Sequence, residues 1–211
     1  MVLKMAQQLK KTGMFITLEG MDGAGKSTHI PTIVAQLQAK GVEVVSTREP
    51  GGTALGEQLR NILLHEAMHP ETETLLMFAA RKEHIAKVIE PALARGAYVL
   101  CDRFTDATYS YQSGAKGVAV DKVMQLETWV QGELQPDLTI LFDVPVAVSM
   151  ARLAKARAPD KFERENAFFF EKLRHNYLTR ALKNPNRYRI IDANQALAIV
   201  KVMVQEIITS I

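Results

Sequence analysis

Eight consecutive residues, Gly20-Met21-Asp22-Gly23-Ala24-Gly25-Lys26-Ser27, satisfy the pattern G-x-x-x-x-G-K-S/T immediately behind an apolar run, Met14–Glu19. Glycines at these spacings let the backbone curl so that successive N–H groups converge on an anion, and a helix starting at the end of the loop adds the positive end of its dipole. The natural guest is phosphate. Lys26 then reaches the β- and γ-phosphates of a nucleotide, and the Ser27 hydroxyl, with Thr28 beside it, stands where Mg2+ bridging the same oxygens is bound. The match is strong because it falls between a strand pattern and a helix pattern, as the motif requires.

Further charged residues follow the other strand-like runs. Asp102 ends Tyr98–Cys101 and Asp143 ends Thr139–Phe142, each a carboxylate at the edge where ligands of open α/β sheets sit. Asp102 there can hold Mg2+ through water or orient a phosphate acceptor; Asp143 fits that role or an N-cap ahead of Pro145 equally well. Arg103 offers a guanidinium beside the cradle, suited to bidentate phosphate capture. In Arg48-Glu49-Pro50-Gly51-Gly52-Thr53 a tight turn exposes its neighbours. Arg48 could meet a phosphate with Glu49 fixing it, or the two could form a surface ion pair. Around 151–164, Arg152, Lys155, Arg157, Lys161 and Arg164 cannot share one helical stripe and Pro159 interrupts them, which favours a closing lid over a solvated helix face.

The elements that must position these groups alternate along the chain. Strand patterns occupy Met14–Glu19, Val42–Thr47, Ala97–Cys101, Leu138–Phe142 and Arg187–Ile191. Between and after them come helix patterns over Ser27–Lys40, Glu71–Arg95 (one helix or two, with Pro91 as the break), Asp121–Gly132, Val146–Ala156, Glu165–Lys183 and Ala196–Ile211. Such alternation predicts an α/β fold, a five-stranded parallel sheet flanked by helices on both faces.

With 211 residues, 47% of them apolar, the chain can bury one substantial core and is short for two domains. We expect one domain over 14–211, with a lid around 151–164 and residues 1–13 as a flexible leader that lacks the apolar stretch of a secretory signal. The net charge of +3 is spread along the chain and gives no nucleic-acid footprint, and no segment approaches the roughly 18 apolar residues of a membrane span. The single Cys101 excludes an internal disulfide and suits a cytoplasmic protein. His29, His65, His69, His84 and His175 are scattered and read as structural or surface residues.

Taken together, the phosphate loop, Thr47–Thr53 (TREPGGT), the Asp102-Arg103-Phe104 run with Tyr109-Ser110-Tyr111-Gln112 after it, and Pro136–Val144 (PDLTILFDV) resemble the thymidylate kinases, from Met14 to the C-terminus. The resemblance implies a homodimer that uses Mg2+ to transfer the ATP γ-phosphate to dTMP. It implies that Asp22 meets the sugar 3′-hydroxyl, that Arg48 and Arg103 stand near the acceptor phosphate, and that Arg81 hydrogen-bonds the thymine. Thr108 and Gln112 fall where polar groups read the same base edge, and Tyr111 where a ring crowds a ribose 2′-hydroxyl. The family usually stacks a Phe four residues before the base-reading arginine. That position is Met77 here, with Phe78 next, and either shares a helix face with Arg81. Bacterial members without a phosphate-loop arginine carry a catalytic arginine and an Asp-Arg pair in the lid; this chain has Asp160-Lys161, leaving Arg152 and Arg157 as the catalytic candidates. On residue chemistry alone, a kinase for another nucleotide or small molecule shares the cradle and lid. A guanine-dependent switch is disfavoured by the absence of an N-K-x-D stretch.

Overall fold

The computed structural model describes residues 13–155 and 160–211. Its five strands are β1 (Phe15–Glu19), β2 (Val44–Arg48), β3 (Tyr98–Asp102), β4 (Leu138–Asp143) and β5 (Tyr188–Asp192), all parallel in the order β2-β3-β1-β4-β5. Successive side chains of a strand point to opposite faces, so Ile16 and Leu18 join one core while Phe15 joins the other. Every residue of β1 is buried, as expected of a central strand covered on both sides.

On one face pack α1 (Lys26–Ala39), α8 (Ala167–Lys183) and α9 (Leu197–Thr209), through Ile33 and Leu37, Leu173 and Tyr177, and Val200, Val204 and Ile208. On the other lie α3 (Pro70–His84), α4 (Glu90–Ala94) and α6 (Val120–Gln131), through Phe78, Leu93, Val123 and Val130. Each fully buried aliphatic or aromatic side chain contributes about 2 kcal/mol, so this two-sided burial is what holds the sheet's loops in place. From β1 the chain passes to β2 on one side and, after β3, crosses to β4 on the other. That reversal opens a crevice at the C-terminal ends of β1 and β3.

The expected fold class is found, with strand ends shifted. β2 begins at Val44 and includes Arg48, and β3 and β4 each run one residue further, through Asp102 and Asp143. Pro91 does not end the long helix. It has no N–H to donate, and a π-helical turn over Ile85–Ile89 absorbs the missing bond between α3 and α4. Two helical segments were not anticipated. α2 (Ala54–His65) is capped by Thr53, whose hydroxyl accepts from the Gly56 N–H at 2.9 Å. α5 (Thr105–Thr108) runs into a second π-helical stretch, Tyr109–Ala115. Helix α7 (Val146–Leu153) ends before the expected Ala156. Asp143 is not a cap: it takes both Arg174 donors at 2.7 and 2.8 Å. The leader read over 1–13 lies outside the described residues except for Gly13, whose N–H donates to the Leu93 carbonyl. Among the described residues no helix is long and apolar enough to cross a membrane.

Candidate active site

The phosphate loop begins where β1 ends. Gly20 sits at φ +130°, and a Cβ there would stand 2.4 Å from the Phe142 carbonyl oxygen, so only glycine lets the loop pass β4. Gly25, at φ +95°, turns the chain into α1. Lys26 is buried, and its ammonium donates to the Gly20 and Met21 carbonyls at 3.0 Å each. Burial, then the Arg103 charge, lowers its affinity for a proton, while Asp102, Asp22 and Glu19 oppose that. Ser27 Oγ donates to Asp102 Oδ2 at 3.5 Å, and Asp102 Oδ1 is buried with no hydrogen-bond partner. An orphaned carboxylate oxygen beside a hydroxyl is an oxygen donor set that fits Mg2+. Asp22, Gly25, Lys26, Ser27 and Asp102 line a groove of about 1610 Å3 together with Thr28, Arg48 and Arg152.

A second cavity, of about 590 Å3, adjoins it and is walled by Met77, Arg81, Phe104, Thr108, Tyr111, Gln112 and Phe162 among others. Asp22, Glu49, Arg60 and Arg103 line both spaces. Arg103 holds a left-handed φ of 71°, strained for a non-glycine residue, and is fixed by Asp22 at 2.7 Å and by the Tyr177 hydroxyl at 3.1 Å. Tyr111 donates to the other Asp22 oxygen at 2.8 Å. Burial alone raises the Asp22 carboxyl, but Arg103, Lys26 and the Tyr111 hydrogen bond more than offset it and hold it well below the usual range. Behind this layer, Glu19 accepts from Tyr177 at 2.8 Å and from the Phe104 N–H at 2.7 Å. Its burial, with the Asp106 charge adding, raises it to about 7 against the pull of Arg103.

Deeper in the cavity Arg81 is almost wholly buried. Its Nε donates to Glu49 at 2.7 Å and its Nη2 to Thr108 at 3.0 Å, leaving Nη1 without a partner. Glu49 also accepts from, or bonds with, His84 Nδ1 at 2.9 Å, and His84 Nε2 meets Thr47 at 2.7 Å. Arg81 Nη1 is thus a buried donor available to an acceptor atom that enters the cavity.

The structure brings Lys26, Ser27, Thr28, Asp22, Asp102 and Arg103 to one crevice, and Arg81, Thr108, Tyr111, Gln112 and Met77 to the adjoining cavity. It corrects several expectations. Glu49 fixes Arg81 rather than Arg48, because β2 turns its end so that Arg48 lies exposed and pairs with Glu57 at 2.9 Å. Phe78 does not face the cavity: it belongs to the core, with the Arg81 guanidinium 4.7 Å over its ring, while Met77 lines the cavity. Arg152, on α7, donates to the Gly23 and Ala193 carbonyls at 3.3 and 3.1 Å, at the wall of the groove. Arg157 lies outside the described residues. Lys161 pairs with Glu73 at 2.8 Å instead of facing the crevice. Arg60, Phe104 and Tyr177 were not foreseen as site residues. Arg60 follows from α2, whose Leu59, Ile62 and Leu63 spacing behind Thr53 was the available signal.

The thymidylate kinase family model matches residues 18–204. A thymidylate kinase of Methylobacillus flagellatus is 66% identical over 195 residues, covering 92% of this chain and 96% of its own length. One from Cupriavidus metallidurans is 60% identical over 199 residues, with 94% and 99% covered. Among solved structures, the thymidylate kinase of Ehrlichia chaffeensis superposes with a TM-score of 0.75 at 33% identity, covering 92% of this chain and 98% of that one.

Proposed function

The chain belongs to the thymidylate kinase family, and we propose that its two adjoining spaces divide the ATP-dependent phosphorylation of dTMP to dTDP between them. ATP occupies the groove at the phosphate loop and dTMP the cavity. The observation that carries this reading is that Asp22, Glu49, Arg60 and Arg103 line both, so donor and acceptor phosphates meet at a shared wall of arginine.

An oxygen of the acceptor phosphate bonds to the γ-phosphorus as the bond to the β,γ-bridging oxygen breaks, and ADP leaves with that electron pair. The acceptor is already ionised, so no strong base is needed and catalysis is positioning plus charge neutralisation. Lys26 lies over the β- and γ-oxygens. Arg103, held by Asp22 and Tyr177, presents its guanidinium to the acceptor phosphate, with Arg48 and Arg60 adding positive charge. Ser27 and Asp102 would hold Mg2+, which when bound neutralises the triphosphate oxygens. Asp22 receives the sugar 3′-hydroxyl, and Tyr111, pinned to Asp22, crowds the 2′ position. Arg81 Nη1, Thr108 and Gln112 read the base, and Met77 lies against it. Arg152 and Arg157 are our candidates for charge stabilisation from the lid.

The reading extends to organisation. Residues 14–211 form one kinase domain with a lid around 151–164, and the protein works in the cytoplasm. It also works as a homodimer. The apolar face left open on α3 and α6, where Leu75, Val120, Met124 and Trp129 are 54–81% exposed, supports that. Light scattering should give twice the chain mass, falling to one on Trp129→Glu.

An ADP-release assay across dTMP, dUMP, dCMP, UMP, AMP and shikimate tests the function. We expect the highest kcat/KM with dTMP and negligible ATP hydrolysis without an acceptor. Activity confined to an acceptor lacking thymine would overturn the reading.

A further inference from the structure

Glu73 is a buried carboxylate that lines neither ligand space, yet it binds three polar side chains, one of which, Gln112, lines the cavity. It lies on α3 one turn before Met77 and two before Arg81, so the three share one helix face. Only about 1% of its surface is exposed. Gln112 Nε2 and Lys116 Nζ lie 2.9 Å from its Oε1, and Lys161 Nζ lies 2.8 Å from its Oε2. Burial raises this carboxyl, but hydrogen bonds from Lys161, Gln112 and Lys116 more than compensate and keep it ionised.

An ionised carboxylate can only accept, so the side of the Gln112 amide that meets Glu73 must be its NH2. The carbonyl oxygen is then the side left for the cavity that Gln112 lines. Arg81 Nη1 supplies an unspent donor to the same cavity. A donor beside an acceptor complements a ring carbonyl next to a ring N–H, the edge of thymine and uracil. Cytosine presents the reverse, an amino group beside an unprotonated nitrogen.

We infer that Glu73 is the positioning residue that sets pyrimidine specificity: by locking the Gln112 amide in one orientation it makes the cavity accept a keto/N–H base edge and refuse an amino/N edge. The inference rests on dTMP occupying that cavity and deepens that reading. Lys161 ties the same carboxylate to the turn carrying Phe162, which walls the cavity and packs edge-on against Tyr111 at 5.7 Å. One buried charge therefore fixes both the base reader and the wall beside it.

Glu73→Gln is the direct test, because an amide of the same shape can donate or accept and releases Gln112 to turn over. The ratio of kcat/KM for dTMP to that for dCMP should fall about 10- to 100-fold, through a higher KM for dTMP and a lower one for dCMP, with KM for ATP unchanged. Lys116→Met, which leaves Gln112 its acceptor, should keep the wild-type ratio. A folded Glu73→Gln enzyme with the ratio unchanged, including one uniformly slower on both substrates, overturns the inference, as does an equal collapse in Lys116→Met. If Glu73→Gln does not fold, a crystal structure of the unaltered protein with dTMP decides. Gln112 bridging Glu73 and the base N3 supports the inference, and a Gln112 that misses either one overturns it. A wild-type enzyme that does not phosphorylate dTMP defeats the functional reading itself, an outcome distinct from a dTMP-selective enzyme indifferent to Glu73.

Discussion

The phosphate loop and the acceptor cavity share a wall but are made of different material. The loop is built mainly from backbone: curled glycines, convergent N–H groups and one lysine, all within eight residues. The cavity is built from side chains drawn from the turn after β2, α2, α3, the turn after β3, α5, the π-helical stretch and the segment after α7, several of them held by ion pairs such as Glu49–Arg81 and Asp22–Arg103. A backbone site tolerates most side-chain changes and fails at a few positions, whereas a site of interlocked side chains fails wherever one partner of a buried pair is removed.

The largest effect should come from the loop's single indispensable side chain. Lys26→Ala removes the charge that the proposed mechanism puts over the β- and γ-phosphates, and we expect kcat for dTDP formation to fall about 10³- to 10⁵-fold, with the melting temperature little changed. Retained ATP-driven dTDP formation would break the comparison at its donor end.

The cavity should respond the other way, in stability as well as in activity. Glu49→Ala strips the Arg81 guanidinium, only 2% exposed, of its carboxylate, and takes from His84 the partner at 2.9 Å. Leaving that charge buried and unpaired should cost about 3–5 kcal/mol in urea unfolding, and KM for dTMP should rise while KM for ATP holds. A variant as stable as the parent would show that Arg81 finds another partner, so that the cavity is less interlocked than its geometry implies.

The same contrast explains what the sequence disclosed. A backbone site has to be contiguous, so its eight residues appear as a motif between a strand pattern and a helix pattern, and the sheet around it follows from the alternation of elements. Cys101 could be placed in the core because it lies inside an apolar run. The cavity's members are spread from Glu49 to Phe162, and their partners depend on how helices are rotated. Glu49 reads from the sequence as the partner of its neighbour Arg48, but it lies in the turn after β2, where its side chain is buried while that of Arg48 is exposed, and its partner is Arg81, 32 residues away. Met77 and Phe78 could not be separated by spacing to Arg81, since both i,i+4 and i,i+3 share a helix face; only the tertiary packing of α3 sends Phe78 into the core that also holds Phe104 and Val123. Arg60 carries no local motif: it reaches the site only because α2 folds back beside the phosphate loop's crevice. The resemblance to a family supplied Arg81, Thr108 and Gln112, which no local pattern marks.

Glu19 offers the smallest effect and the finest test, because it ends β1 on the loop's side yet reaches the cavity through Tyr177 and Arg103. Its carboxyl is raised from 4.5 to about 7, first by burial and then by Asp106. Between those values the folded chain keeps the proton and the unfolded chain has released it, so the folded state binds more protons and stability falls as pH rises. The fall is on the order of 3 kcal/mol at most and stops above about pH 7. Asp22 and Asp106 are shifted the opposite way, below their ordinary values, and change stability at more acid pH, outside this window. Glu19→Gln has no proton to release and keeps an acceptor for the Phe104 N–H. Urea unfolding at pH 5 and pH 8 should therefore show the parent losing stability relative to the variant as pH rises. Parallel curves for the two proteins would mean that Glu19 carries no net proton into the fold, and that the loop is independent of the side-chain network behind it.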